Sequence, residues 1–215
     1  MTLRNTHRIA ALLLSALLLG ACAGTPAPSP APAPEAAPAG PLEPATSAID
    51  DRDYRAFTLS NGLEVLVVSD PETDKAAAAL AVEVGSFDEG DDRLGLAHFL
   101  EHMLFLGTEK YPDPNEYGEY ISARGGSRNA YTSLDHTNYF FSIAADEFHG
   151  GLDRFAQFFV APLFTAELVD REKNAVNSEY QMQLRDDGWR TYMTQKRALN
   201  PAHPGSRFTI GSLET

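Results

Sequence analysis

The sequence predicts an α+β fold, a two-layer sandwich in which a mixed, mainly antiparallel sheet is covered by helices. Three observations lead there. Short alternating strand-like segments, bounded by Gly, Asn or Pro, occur in two groups, near residues 57–84 and 127–144. Segments of helical period follow each group. The resulting order of strands, helices, strands, helices separates the element types as α+β domains do. No internal repeat is present.

The 215 residues allow one ordinary domain with a tail. Arg4, His7 and Arg8 give a basic start, Ile9 to Leu19 an apolar core, and Gly20-Ala21 a small-residue end, so residues 1–21 read as an export signal. Its apolar core is too short to span a bilayer as a mature helix. Cys22, the only cysteine, stands directly after Leu19-Gly20-Ala21, which resembles the bacterial lipoprotein cleavage box. By that resemblance Cys22 becomes the lipid-modified first residue of the mature chain. The alternative is a small residue beside an ordinary signal-peptidase site. Ala23 follows, with no acidic residue of the kind that resembles an inner-membrane retention signal. The expected place is therefore the bacterial cell envelope, lipid-anchored at the outer membrane and facing the periplasm.

Residues 22–48 form the lipidated cysteine and a Pro/Ala tether holding eight of the fourteen prolines. Such a segment favours extended polyproline geometry, and at ~3.1 Å per residue it reaches up to ~80 Å from its anchor. The formal net charge is −13, and removing the signal takes away two arginines and no acids. That balance argues against nucleic acid and anionic lipid as partners and suits solubility or attraction of basic peptides. A membrane is expected only through the lipid anchor.

Residues 49–215 are the expected globular domain. Phe57-Thr58-Leu59, a tight turn at Asn61-Gly62 and Leu63 to Val68 predict a β-hairpin. Ala76 to Val84 predicts a third strand, closed by Gly85-Ser86. An acidic loop, Asp88 to Asp92, leads into a helix within Leu94 to Leu106, where Asp91 and Asp92 fit the helix dipole. Pro112-Asp113-Pro114 introduces a second helix, 115–123, and Gly125-Gly126 breaks the chain. Strands follow at 127–132 and 137–144. The first is small and polar, which fits an edge able to accept a peptide as an added strand; an ordinary exposed edge fits equally. Helices are expected at 147–159, at 166–183 with Thr165 as N-cap, and at 188–199.

Within the first helix lies His98-Phe99-Leu100-Glu101-His102. At ~100° per residue the three polar side chains share one arc of roughly 100° on an otherwise apolar helix. A helix apolar all round is a buried one, and burying these groups without partners is costly. A metal ion resolves the cost: two neutral imidazoles bind it and the carboxylate works on its water. This is the inverted H-x-x-E-H spacing. Two core histidines bonded to backbone remain the plain alternative. On the long helix, Glu172 and Glu179 both fall on the stripe that Leu168 and Val176 mark as buried. A buried carboxylate needs a cation or a dense hydrogen-bond shell; Zn²⁺ is the strongest local candidate and a salt bridge to an internal Arg or Lys the alternative.

The surroundings of these residues carry a closer likeness. Gly85-Ser86, the run Gly95 to Thr108, Gly126-Ser127-x-Asn129-Ala130-Tyr131-Thr132, and Glu172-Lys173-x-Ala175-Val176-x-Ser178-Glu179 together resemble the pitrilysin/insulysin (insulin-degrading enzyme) family of inverted-motif zinc metallopeptidases. The resemblance runs from about Asp53 to Thr215. It implies His98, His102 and Glu179 as Zn²⁺ ligands, Glu101 as general base, and Glu172 as an assisting carboxylate. It also implies Asn129 and Ala130 on the strand that pairs with substrate backbone. Zinc-dependent hydrolysis of peptides or small proteins is the expected activity. Family members of this kind build a clam from four half-units, so this chain is expected to hold the first, catalytic half-unit without its closing strand and helix. The remainder of the clam is then an expected partner. The alternative is a module that binds zinc and a partner or peptide without turnover.

Overall fold

The computed structural model describes residues 43–215. The signal segment, Cys22 and the tether as far as residue 42 lie outside the described residues.

The described chain divides into two units. The first holds residues 43–50 and 54–67. Strand β1 (Asp53–Thr58) and strand β2 (Glu64–Ser69), most of whose residues lie in it, pair as a two-stranded sheet. The turn differs from the expected two-residue form. Gly62 N donates to Leu59 O at 2.9 Å and Leu59 N to Leu63 O at 2.8 Å. The chain thus turns through Ser60-Asn61, with Gly62 (φ 88°) as the left-handed residue that follows. Asn61 supports it by accepting from Leu63 N.

The second unit, residues 51–53 and 68–215, carries the remaining elements. They are strand β3 (Lys75–Val82), helix α1 (Leu96–Leu104), helix α2 (Glu116–Ala123), strands β4 (Ser127–Thr132) and β5 (Thr137–Ala144), helix α3 (Phe148–Gln157), helix α4 (Ala166–Gln183) and helix α5 (Asp187–Arg197). Short 3₁₀ turns sit at Ala145–Glu147 and Pro204–Ser206. The sheet order is β3-β5-β4 and both pairings are antiparallel, with Lys75 opposite Ala144 and Ser127 opposite Ser142. The fold is therefore α+β, as the sequence predicts. The expected mixture of strand directions is absent from this three-stranded sheet.

β5 is the centre of that sheet, and strict alternation makes it so: Thr137, Tyr139, Phe141 and Ile143 are buried, with the residues between them less so. Its inner face packs on Tyr117 and Ile121 of α2, Phe155 of α3, and Phe158 beyond it. Phe155 meets Phe141 at 5.3 Å and Phe158 meets Tyr117 edge-on at 4.8 Å, between ring centroids. Such aromatic pairs add about 0.5–1.5 kcal/mol each beyond buried area. β4 lies at an edge of the sheet, as its composition implies.

Two expectations for α1 are corrected. It is not buried all round: Leu96 and Leu100 are 51% and 44% exposed, while Glu101, Met103 and Leu104 are buried. Asp91 and Asp92, expected to complement its dipole, stand outside its first turn, which holds no acid. Asp91 pairs with Arg207 and Asp92 faces Arg93. The cap is Glu89, whose carboxylate accepts from Gly95 N and Ala97 N at 2.8 and 2.9 Å. The loop reverses direction at Gly95 (φ 94°), so the nearer acids point away and the farther one folds back. Past α1, Glu109 N to Ala161 O and Leu163 N to Gly107 O tie its exit to the loop entering α4. This tie sets α4 beside α1.

Candidate metal centre

α1 and α4 bring three metal-ligating side chains to one point. His98 Nε2 and His102 Nε2 lie 3.2 Å apart, one helical turn from each other. Glu179 Oε2 stands 3.6 Å from each of them. Among the described residues, these three form the one cluster whose ligand atoms all lie within 4.8 Å. A tetrahedral zinc ion with bonds of about 2.0–2.2 Å separates its ligand atoms by about 3.4 Å. The near-equilateral triangle matches that spacing.

The far side of each ring fixes its orientation. His98 Nδ1 lies 2.6 Å from the backbone oxygen of Ile210, which can only accept, so Nδ1 carries the proton and Nε2 presents its lone pair. His102 Nδ1 donates in the same way to Glu172 Oε1 at 2.9 Å. Two imidazole lone pairs aimed at each other at 3.2 Å repel unless a cation or proton stands between them. The donor set therefore fits Zn²⁺ on its own chemistry, two neutral nitrogens and one carboxylate.

In the metal-free site the same arrangement traps a proton. The Glu179 carboxylate, 3.6 Å from Nε2, holds the His102 pKa up to about 9, helped by Glu172 and opposed by burial. Glu179 is held below the ordinary carboxylate range, first by the close approach of His102 and then by the charge of His98 and His102.

Glu101 faces the same cavity of about 400 Å³ that His98, His102 and Glu179 line. It is 8% exposed, and its Oε2 accepts from Thr132 Oγ1 at 2.6 Å. Asn129 and Ala130 lie on β4 along the wall of that cavity. Asn129 Oδ1 occupies the Ala130 N–H at 3.0 Å, so a strand added there has first to displace it. All seven site residues expected within the described chain thus converge on one cavity or its hydrogen-bond surround; Cys22 lies outside the described residues.

Three contributors escape sequence reading. Ile210 acts through its backbone oxygen, which leaves no mark in the residue type. Thr132 lies thirty-one positions from Glu101 and reaches it only through the β4–α1 packing. Gln183 does leave a trace: it is one turn beyond Glu179 on α4 and donates to Glu179 Oε1 at 3.3 Å. Its own carbonyl oxygen is buried without a partner.

A helix carrying two histidines and a glutamate in inverted order, with a further carboxylate from a second helix, is the arrangement of an inverted-motif zinc metallopeptidase. Comparison with known proteins gives the same class. The chain belongs to the insulinase family, peptidase family M16, whose family model matches residues 64–202. Over 166 residues it is 51% identical to the insulin-degrading enzyme of Bos taurus, covering 77% of this chain and 16% of that protein. Over 167 residues it is 48% identical to the A-factor-processing enzyme of Saccharomyces cerevisiae, covering 78% of this chain and 16% of that one. The chain thus spans about a sixth of these curated relatives' length. Among solved structures, pitrilysin superposes with a TM-score of 0.75 at 42% identity, over 79% of this chain and 18% of that chain. A protease from Helicobacter pylori superposes at 0.70 and 25% identity, over 76% and 39%.

Proposed function

We propose that this chain carries the zinc-holding and proton-moving half of a metalloendopeptidase site, with His98, His102 and Glu179 as ligands. The supporting observation is the triangle of two Nε2 atoms and one carboxylate oxygen, with sides of 3.2, 3.6 and 3.6 Å. When bound there, Zn²⁺ supplies Lewis-acid polarisation of a scissile carbonyl and lowers the pKa of a coordinated water towards about 7. Glu101 takes the proton of the attacking water and hands it to the departing amine. Thr132 holds one Glu101 oxygen by a hydrogen bond and leaves the other free of it for the proton transfer. Glu172 keeps the His102 ring turned with Nε2 inward. Asn129 and Ala130, on the edge strand, are the proposed substrate-backbone contacts. Peptides and small proteins are the proposed substrates.

The test is Glu101→Gln in the full chain. Stoichiometric zinc should be retained, while cleavage of a fluorogenic peptide falls by about 10²–10⁴-fold. Undiminished cleavage would sink the reading. A second reading has its own support in the share of the relatives covered, about a sixth. On it, this stretch binds zinc and a peptide or partner, and turnover needs the rest of a peptidase clam. Stoichiometric zinc with no turnover in the wild-type chain selects it.

For location, the proposal is a lipid anchor at Cys22 in the outer membrane of a bacterial envelope, with the domain held in the periplasm by the Pro/Ala tether. Its support is the placement of the sole cysteine after an apolar leader. No helix among the described residues is long and apolar enough to cross a membrane. Incorporation of a labelled lipid precursor, lost in Cys22→Ser, tests the anchor, and absence of label in the wild type refutes it.

A further inference from the structure

α1 starts at a residue that cannot cap it. Gly95 is left-handed and has no side chain, so the first amides of the helix need acceptors from elsewhere. Glu89, six residues upstream and 8% exposed, takes two of them, Gly95 N and Ala97 N. The loop holding Glu89 is itself gripped from the other end of the domain. Arg207 Nη1 donates to the backbone oxygens of Glu89 and Phe87 at 3.0 and 3.3 Å, and its Nε pairs with Asp91 Oδ1 at 3.0 Å. Three residues beyond Arg207, the Ile210 oxygen receives His98 Nδ1–H at 2.6 Å. Next to it Gly211 (φ 101°) runs so close to Gly95 that a side chain on Gly95 would collide with its backbone.

These bonds close a ring: Glu89 to the start of α1, α1 to His98, His98 to Ile210, Ile210 along the chain to Arg207, and Arg207 back to Glu89. The two histidines differ in how they are held. His102 leans on a side chain, Glu172, mounted on the adjacent α4. His98 leans on a backbone carbonyl in a non-helical segment, whose position depends on whatever anchors that segment. Resting on the zinc-site reading above, we propose that Arg207 and Glu89 are positioning residues for His98, a strap that fixes its Nδ1–H tautomer and aims its Nε2 at the metal. Two nitrogens of the rigid guanidinium fork make three contacts to the strap from one side chain, a geometry a lysine ammonium does not reproduce.

The experiment uses the full chain and has two readouts. In the metal-free ¹⁵N-labelled chain, long-range ¹H–¹⁵N spectra report the His98 tautomer. In the Co²⁺-loaded chain, chelator competition gives the dissociation constant and the visible bands report ligand geometry. Arg207→Ala and Glu89→Gln should lose the pure Nδ1–H signature, weaken cobalt by about tenfold to a hundredfold, and alter the visible bands. Glu89→Asp, which keeps the carboxylate, should restore most of the affinity, and Arg207→Lys should not. Lys110→Ala, which removes a surface pair with Asp153, should behave as wild type. Folded Arg207→Ala and Glu89→Gln proteins with the wild-type tautomer and a cobalt constant within about twofold would overturn the proposal. Should Arg207→Ala fail to fold, Asp91→Asn loosens the strap at an exposed point, and an unchanged His98 signal there overturns it equally. A wild-type chain that takes up no cobalt defeats the zinc-site reading alone, because the tautomer readout still decides the strap.

Discussion

His102 sits between two carboxylates, Glu172 on Nδ1 and Glu179 on Nε2, and this sets how the metal-free site answers to pH. Its folded pKa is raised to about 9 from an ordinary 6.5. A raised pKa means the contribution to stability is complete below about 6.5 and is lost as pH climbs through about 9. The metal-free chain should therefore melt at progressively lower temperature between those limits, and His102→Ala should flatten that slope. Zinc competes with the same proton, so its apparent affinity should rise over the same window. Chelator competition at several pH values measures it, and a flat profile would refute the coupling. Thr132 makes a separate residue-scale prediction. Thr132→Val keeps shape and removes the hydroxyl that donates to Glu101 Oε2. Peptide turnover should drop about tenfold with zinc content unchanged, since the base loses its orientation while the ligands keep theirs. The motif and both glutamates were legible at this scale because chemistry demands those residue types at those spacings. Ile210 was not, because a carbonyl is common to every residue.

At the scale of elements, legibility followed the punctuation between them. β4, β5 and α4 match their sequence-predicted limits to the residue: Gly125-Gly126 sets the start of β4, the short turn at 133–136 separates it from β5, and strict alternation fills β5. The N-terminus of α1 went wrong because the acidic loop offers four carboxylates, Asp88, Glu89, Asp91 and Asp92, within five positions. Only the turn at Gly95 decides which of them folds back. Thr165 stands at the predicted N-cap of α4, yet its side chain makes no capping bond there. Phe141 tests the packing that fixes the sheet. It is 1% exposed at the centre of β5, between Tyr117, Phe148 and Phe155. Phe141→Ala should cost about 3–5 kcal/mol in denaturant unfolding. A loss below about 1 kcal/mol would mean that the aromatic cluster repacks around the gap.

Across the whole second unit, the metal site joins parts that the apolar core does not. The core cluster draws on the sheet, α2, α3 and the end of α1, and it contains no residue of α4 or of the 207–211 segment. α4 meets α1 through Val176, 3% exposed, and through Glu172 and Glu179 at the histidines. The 207–211 segment is held by Arg207 and by the Ile210 bond to His98. Zinc at 100 times its dissociation constant would stabilise the folded chain by about 2.7 kcal/mol, and that energy acts where the ligands are mounted. Chelation should therefore loosen the molecule unevenly. Hydrogen exchange should quicken along α4 and at 207–211, while the β5 amides, paired on both sides by β3 and β4, keep their protection. Uniform acceleration would instead mean that α4 and the sheet unfold as one cooperative body. Unchanged exchange on α4 would mean that Val176 and its apolar neighbours hold that helix without the metal, and that Glu179 is brought to the site by packing alone.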